Sequence, residues 1–145
     1  MKTVRQLLDR KGRDVWTVSP DSSVYDALRL MADKNVGALI VMDQDRMAGV
    51  FSERDYARKI VLMGKFSRDT PVRDIMTEEV YSVTPDHTVK ECMAVMTQGR
   101  FRHLPVQEGG RLVGIISIGD VVKELLSEQD YLITQLENFI AGSRG

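Results

Sequence analysis

Apolar residues recur along this chain with two alternating periods. Val24, Ala27, Leu28 and Met31 fall at i, i+3, i+4 and i+7, as do Val89, Cys92, Met93 and Met96. That spacing puts each set on one stripe of an α-helix, turned toward a core. Ser23-x-x-Asp26 and Thr88-x-x-Glu91 precede the stripes as capping boxes, and Gly99 is placed to end the second helix. Two β-type runs follow each helix. They are Ala38 to Met42 and Met47 to Ser52 around Asp43-Gln-Asp-Arg46, then Arg102 to Val106 and Leu112 to Ile118 around Glu108-Gly-Gly-Arg111, and each pair predicts a hairpin. A further helix follows each hairpin, with Tyr56, Ala57, Ile60 and Val61, or Val121, Val122, Leu125 and Leu126, inward.

The whole pattern is a duplication. Val15-Trp-Thr-Val-Ser-Pro-Asp21 aligns on Val80-Tyr-Ser-Val-Thr-Pro-Asp86 at an offset of 80 − 15 = 65, and the match runs without a gap to Val61 and Leu126. Each unit is β-α-β-β-α. A lead-in recurs at a different spacing, Val4-Arg-Gln-Leu-Leu8 against Val72-Arg-Asp-Ile-Met76, and predicts a short helix before each unit. Thr70 and Pro71 would be the cap and first residue of the second one. The expected fold is α+β, two repeats packed through their sheets over a joint core with pseudo-two-fold symmetry, plus N-terminal and C-terminal helices. The boundaries are residues 1–69 for the first repeat with its lead-in and linker, 70–127 for the second repeat, and 128–145 for the C-terminal helix. That last segment, with Tyr131, Leu132, Leu136, Phe139 and Ile140 among polar residues, exceeds what the repeat requires. Its apolar stripe calls for a neighbour in the same chain or a second copy.

Composition narrows the function classes. The chain has 145 residues, 43% hydrophobic and 28% charged, which is ordinary for a folded globular protein. Lys and Arg total 20 against 21 for Asp and Glu, a net charge of −1, so no global field draws it to nucleic acid or anionic lipid. The longest apolar run, Val36 to Met42, falls far short of the roughly 20 residues that span a bilayer. No secretory signal pattern opens the chain, and the expected compartment is the cytoplasm. One cysteine and two distant histidines supply no metal-ligand spacing.

Each hairpin ends in the same signature, Gly49-Val-Phe-Ser-Glu-Arg-Asp55 and Gly114-Ile-Ile-Ser-Ile-Gly-Asp120, and the second repeat carries Arg102-His-Leu-Pro-Val106. With the tandem repeat, these residues resemble the CBS-domain family over nearly the whole chain. The resemblance implies an α+β (α/β CBS-type) pair of repeats forming a Bateman module. Such a regulatory unit binds adenosine ligands such as AMP, ADP, ATP, NAD or S-adenosylmethionine in clefts between the repeats. It also implies that Asp55 and Asp120 accept hydrogen bonds from ribose hydroxyls, a role that suits the two acceptor oxygens of a carboxylate. Ser52 and Ser117 would help hold the sugar or phosphate. Read without the family, Ser52-x-x-Asp55 and Ser117-x-x-Asp120 are ordinary capping boxes, and the two roles are compatible.

For the phosphate, the second repeat offers Arg100, Arg102 and His103 where the first has Asn35, Gly37 and Ala38, and the first half's candidate is Arg54. Solvated surface charge is the plain alternative for the arginines. Adenine would take apolar walls, for which Val15, Thr17, Val18, Ala38 and Leu39, with Val80, Ser82, Val83, His103 and Leu104, are the weaker candidates. Most of them are equally what a core strand needs. Because Gly119 stands where Arg54 does and His103 where Ala38 does, the two clefts are not chemically equivalent.

Catalysis lacks a nucleophile and base, a carboxylate pair or a metal cluster at workable spacing, and Cys92 lies on an apolar stripe. The basic run Arg54, Arg58, Lys59, Lys65, Arg68 and Arg73 has only Tyr56 and Phe66 interleaved, a poor nucleic-acid signature. The expectation is therefore a nucleotide-sensing homodimer that is not an enzyme, has no catalytic cofactor, and acts on an unknown protein partner. Its rival is a ligand-free dimeric scaffold acting through protein contacts.

Overall fold

Polar residues start each helix and short loops turn the strands. In the computed structural model, which describes residues 1–143, α1 spans Val4–Lys11 and opens with a reciprocal box between Thr3 and Gln6. Ser23 caps α2 (Val24–Lys34) through its hydroxyl alone, its backbone lying in a bridge with Pro71, whereas Thr88 and Glu91 form the complete box ahead of α4 (Val89–Gly99). Gly99 is the last helical residue. The left-handed cap is Arg100, at φ 58°, and Gly99 is needed because a Cβ there would sit 2.3 Å from the Phe101 ring.

The first sheet has three strands in the order β1-β2-β3: β1 (Thr17–Val18) runs parallel to β2 (Ala38–Asp43), and β2 antiparallel to β3 (Arg46–Ser52). The second sheet keeps only β4 (His103–Glu108) and β5 (Arg111–Ser117), and its first strand shrinks to a bridge between Val83 and Val106. One residue accounts for the difference. In the first repeat the Ile40 N–H donates to the Trp16 carbonyl at 3.1 Å, and the duplicate of Ile40 is Pro105, which has no N–H to give.

The chain divides into two compact units that cut across the order of the repeats, residues 1–13 with 81–145 and residues 14–80. Each unit has its own core. The 1–69 boundary thus separates in space at its start, because α1 packs on the second repeat: Val4, Leu7 and Leu8 join Val89, Met96, Leu104 and Ile116. Val72 and Ile75 join Val24, Leu39 and Phe51 in the other unit. Backbone bonds repeat the exchange. The Val4 and Arg5 N–H groups donate to the carbonyls of His87 and Pro85, and those of Val72 and Arg73 to Ser22 and Pro20. The Arg5 side chain pairs with Asp86, and Arg73 with Asp21.

The second lead-in is only a 3₁₀ turn, Val72–Asp74. Pro71 is its cap, and the Thr70 hydroxyl donates to the Phe66 carbonyl instead. The duplicated glycines explain how lead-ins fit. A Cβ at Gly49 would come within 2.6 Å of the Thr77 carbonyl oxygen, and one at Gly114 within 2.8 Å of the Leu8 side chain.

The helices after the hairpins diverge. In the first unit the three-residue α3 (Glu53–Asp55) passes into a π-helix, Tyr56–Val61, that buries Ile60 and exposes Ala57 and Val61. In the second, α5 runs unbroken over Ile118–Ser143, continuing the repeat's last helix past residue 127. Val121 is buried, Leu125 half-buried, and Val122 and Leu126 exposed, one inward column fewer than periodicity predicts.

The glycine contacts generate a graded prediction. Gly49→Ala meets fixed backbone and should lower stability by about 1–3 kcal/mol. Gly114→Ala meets a side chain able to turn and should cost less. Urea midpoints of the two variants check the order, and equal midpoints would contradict the packing.

Candidate functional site

Each hairpin ends by handing its last strand residue to a helix, and there the Ser-x-x-Asp signature folds into a reciprocal cap. At the first corner the Asp55 N–H donates to Ser52 Oγ at 3.2 Å, while Ser52 N–H and Oγ–H donate to Asp55 Oδ2 at 3.0 and 3.1 Å. The other oxygen is engaged too: Thr77 Oγ1 donates to Asp55 Oδ1 at 3.0 Å, and Lys59 Nζ lies 3.5 Å from it. Asp55 is buried, at 8% exposure. A carboxylate so enclosed is first a structural group, which ties the lead-in residue Thr77 to the corner.

The second corner uses the same cap, with Ser117 N–H donating to Asp120 Oδ2 at 2.8 Å and Asp120 N–H to Ser117 Oγ at 3.1 Å. Here the outside partner is a full charge. Lys11 Nζ, at the end of α1, donates to the same Oδ2 at 2.6 Å and to the Ile115 carbonyl at 2.7 Å. Burial alone would raise the Asp120 carboxyl. The hydrogen bonds from Lys11 and the Ser117 N–H, with the lysine's charge, outweigh it and hold the group below the ordinary aspartate value. The bonds described for Asp120 go to Oδ2, and its side chain is 25% exposed against 11% for Asp55.

Strand register gathers the neighbours. His103 lies opposite Ser117 in the β4–β5 ladder, and the Ile118 N–H donates to the Arg102 carbonyl at 2.9 Å. Arg102, His103, Ser117 and Asp120 therefore share one end of that sheet, with Arg102 exposed and His103 half-buried. Arg100 sits at the α4 cap, two residues before the strand approach, and is exposed. In the other unit Ala38 faces Ser52 and the Glu53 N–H donates to the Gly37 carbonyl, so the same end carries Arg54, half-buried, as its arginine candidate.

Several expected adenine walls prove to be core. Leu39, Val83 and Leu104 are buried to within 1% of complete and leave no surface for a ligand. Ala38 is buried under the corner; Val15, Val18 and Val80 are half-buried, and Thr17 is exposed on β1. The Ser82 hydroxyl donates to the Gln107 side chain at 3.3 Å.

Sequence reasoning missed Lys11, Lys59 and Thr77, which face the two carboxylates. It also missed Glu124, buried on α5 between Lys2 Nζ at 3.2 Å and Arg10 at 3.3 Å. The i,i+4 spacing of Asp55 and Lys59 is a local signal that could have found that pair, whereas the pairings of Lys11, Thr77 and Glu124 depend on which repeat receives which lead-in.

Cys92 is fully buried, and burial with the nearby Glu91 charge pushes its thiol up to about 11, which leaves no thiolate at neutral pH. Among the described residues no His, Cys, Asp and Glu cluster could hold a metal, and no helix is long and apolar enough to cross a membrane.

Comparison with known proteins places these features in company. The family model described as the CBS domain matches residues 4–62 and again 72–127. The Arabidopsis thaliana protein named "CBS domain-containing protein CBSX3, mitochondrial" is 39% identical, over 97% of this chain and 72% of its own length. A solved structure described as a putative signal-transduction protein with CBS domains, from Burkholderia ambifaria, superposes with a TM-score of 0.84 at 50% identity, covering 88% of this chain and 96% of its own. Another, titled as the CBS domain NE2398, gives 0.83 at 45% identity, over 87% of this chain and 99% of its own.

The Lys11–Asp120 pair generates a pH prediction. Since the folded Asp120 carboxyl titrates below its unfolded value of about 3.9, its contribution is complete above that value and is lost as pH falls through the lower folded one. Lys11→Met should flatten this acid loss. Urea unfolding at pH 6, 4 and 3 measures it, and parallel wild-type and Lys11→Met curves would contradict the pairing.

Proposed function

Since this chain belongs to the CBS-domain family, whose modules are regulatory and ligand-sensing rather than typically catalytic, we propose that it binds an adenosine nucleotide, AMP, ADP, ATP or NAD(H), at its Ser-x-x-Asp corners and signals by conformational or oligomeric change. The observation that carries the reading is the β4–β5 register, which puts Arg102 and His103 beside Ser117 and Asp120. A ribose needs an acceptor for its diol and a phosphate needs cations, and both chemistries stand at one sheet end. The second repeat's corner is the better of the two. Asp120 keeps more of its carboxylate toward solvent, with Arg102 at the same sheet end, whereas both Asp55 oxygens are taken up by Ser52, Thr77 and Lys59. Ser52, Arg54 and Asp55 form the weaker corner of the same reading, with Val15, Thr17, Val18 and Val80 as the adenine candidates of that unit and Ser82 that of the other.

In this role the ligand changes the protein only through its different affinity for two states. A nucleotide drawing on Asp120 competes with Lys11 for the carboxylate, which links the corner to α1. The cytoplasm and a protein partner belong to the reading as its setting. A ligand-free scaffold is the second reading, favoured by the enclosed state of Asp55.

Thermal melts of the wild type with AMP, ATP, NAD, NADH and S-adenosylmethionine decide between them. At about 100 times the dissociation constant a binding nucleotide adds about 2.7 kcal/mol and raises the melting temperature. Asp120→Asn should lose most of that response while staying folded, and Asp55→Asn should keep more of it. No shift with any of the five would move the scaffold reading ahead.

A further inference from the structure

A lysine reaches the Asp120 corner from outside it. Lys11 is the last residue of α1, and its long flexible stem carries an ammonium with three N–H donors. Asp120 Oδ2 accepts from it at 2.6 Å and the Ile115 carbonyl at 2.7 Å, and the side chain is 34% exposed. The helix does not depend on this bond for its place. Val4, Leu7 and Leu8 are buried in the core of the unit, and Lys2 and Arg10 both hold Glu124. The Lys11 side chain can therefore leave the carboxylate while α1 stays docked.

What that departure costs depends on the charges around the ammonium. The next acid along α5, Glu124, is already taken by Lys2 and Arg10, and the arginine at this sheet end, Arg102, is a like charge. A ligand that displaces Lys11 from Asp120 must therefore bring an anion of its own, or leave the lysine without an ionic partner.

We propose that Lys11 makes the Asp120 corner selective for adenosine ligands that carry a phosphate, against the unphosphorylated nucleoside and against the cationic sulfonium of S-adenosylmethionine. The inference rests on the nucleotide reading above. A ribose diol spanning the carboxylate meets Lys11 at Oδ2, and there it exchanges an ammonium–carboxylate pair for a hydroxyl–carboxylate bond in which only one partner is charged. A bare nucleoside stops at that loss. A phosphate gives the ammonium a new ionic partner, so the broken pair is replaced. A sulfonium adds a second positive charge near the first, a like-charge contact that works against binding. The Asp55 corner discriminates less, because its carboxylate is bonded by the neutral Ser52 and Thr77 while Lys59 stands off at 3.5 Å.

Isothermal titration calorimetry of the full chain with AMP, adenosine and S-adenosylmethionine tests the proposal, on the wild type, Lys11→Met and Lys11→Arg. Melting curves without ligand confirm that each variant is folded. The wild type should bind AMP at least about tenfold more tightly than adenosine, and S-adenosylmethionine more weakly than either. Lys11→Met should bring AMP and adenosine to within about threefold of each other, weakening the first and not the second, and Lys11→Arg should keep the preference. The ratio is the decisive readout, since a lysine that only held α1 in place would move both ligands together. Equal wild-type affinities for AMP and adenosine, an unchanged ratio in Lys11→Met, or a loss in Lys11→Arg as large as in Lys11→Met would each overturn the selectivity while leaving nucleotide binding intact. A wild type that binds none of the three overturns both readings at once.

Discussion

The structure depends on an exchange of lead-ins. Neither repeat closes its core with the segment that precedes it in sequence: α1 completes the second repeat and the 3₁₀ turn at Val72–Asp74 completes the first. Hydrophobic burial drives both, through Val4, Leu7 and Leu8 on one side and Val72 and Ile75 on the other. The close fit is set by Gly49 and Gly114, where a side chain would occupy the space the lead-in fills. Backbone bonds to the Pro20 and Pro85 turns fix the register.

The Ser-x-x-Asp corners inherit this constraint. Each carboxylate caps its own helix and also reaches the borrowed segment, Asp55 through Thr77 and Asp120 through Lys11. What differs is the character of the partner. A neutral hydroxyl and a longer lysine contact enclose Asp55, whereas a short lysine contact leaves Asp120 partly toward solvent with an arginine and a histidine across the ladder. The two corners thus differ in how far the carboxylate is enclosed, Asp55 more than Asp120. The last turn of α1 is thus tied to α5 twice, through Arg10 on Glu124 and Lys11 on Asp120.

Much of this was written in the local sequence. The helix stripes, the hairpins and the duplication follow from periodicity, since Val24 to Met31 and Val89 to Met96 can bury only one face. The Ser-x-x-Asp caps were legible for the same reason, being formed within four residues. Pairings across the chain were not. That α1 belongs with the second repeat is invisible in Val4-Arg-Gln-Leu-Leu8, which would suit either core, and so Lys11, Thr77 and Glu124 escaped notice. The full burial of Leu39 and Leu104 is not legible either, because periodicity gives the face of a strand and not the depth of what covers it. Pro105 lies within the Arg102–Val106 motif, and its effect, the loss of a ladder bond, appears only when the partner strand is known.

The central claim is that one carboxylate both latches α1 and receives the ribose of a nucleotide. Carbon-13 NMR of the aspartate side-chain carboxyls during an AMP titration tests it most directly. The account predicts that the Asp120 resonance moves with saturation and that the Lys11 Nζ signal moves with it, while Asp55 changes little. Saturable AMP binding with Asp120 and Lys11 both unmoved would contradict it.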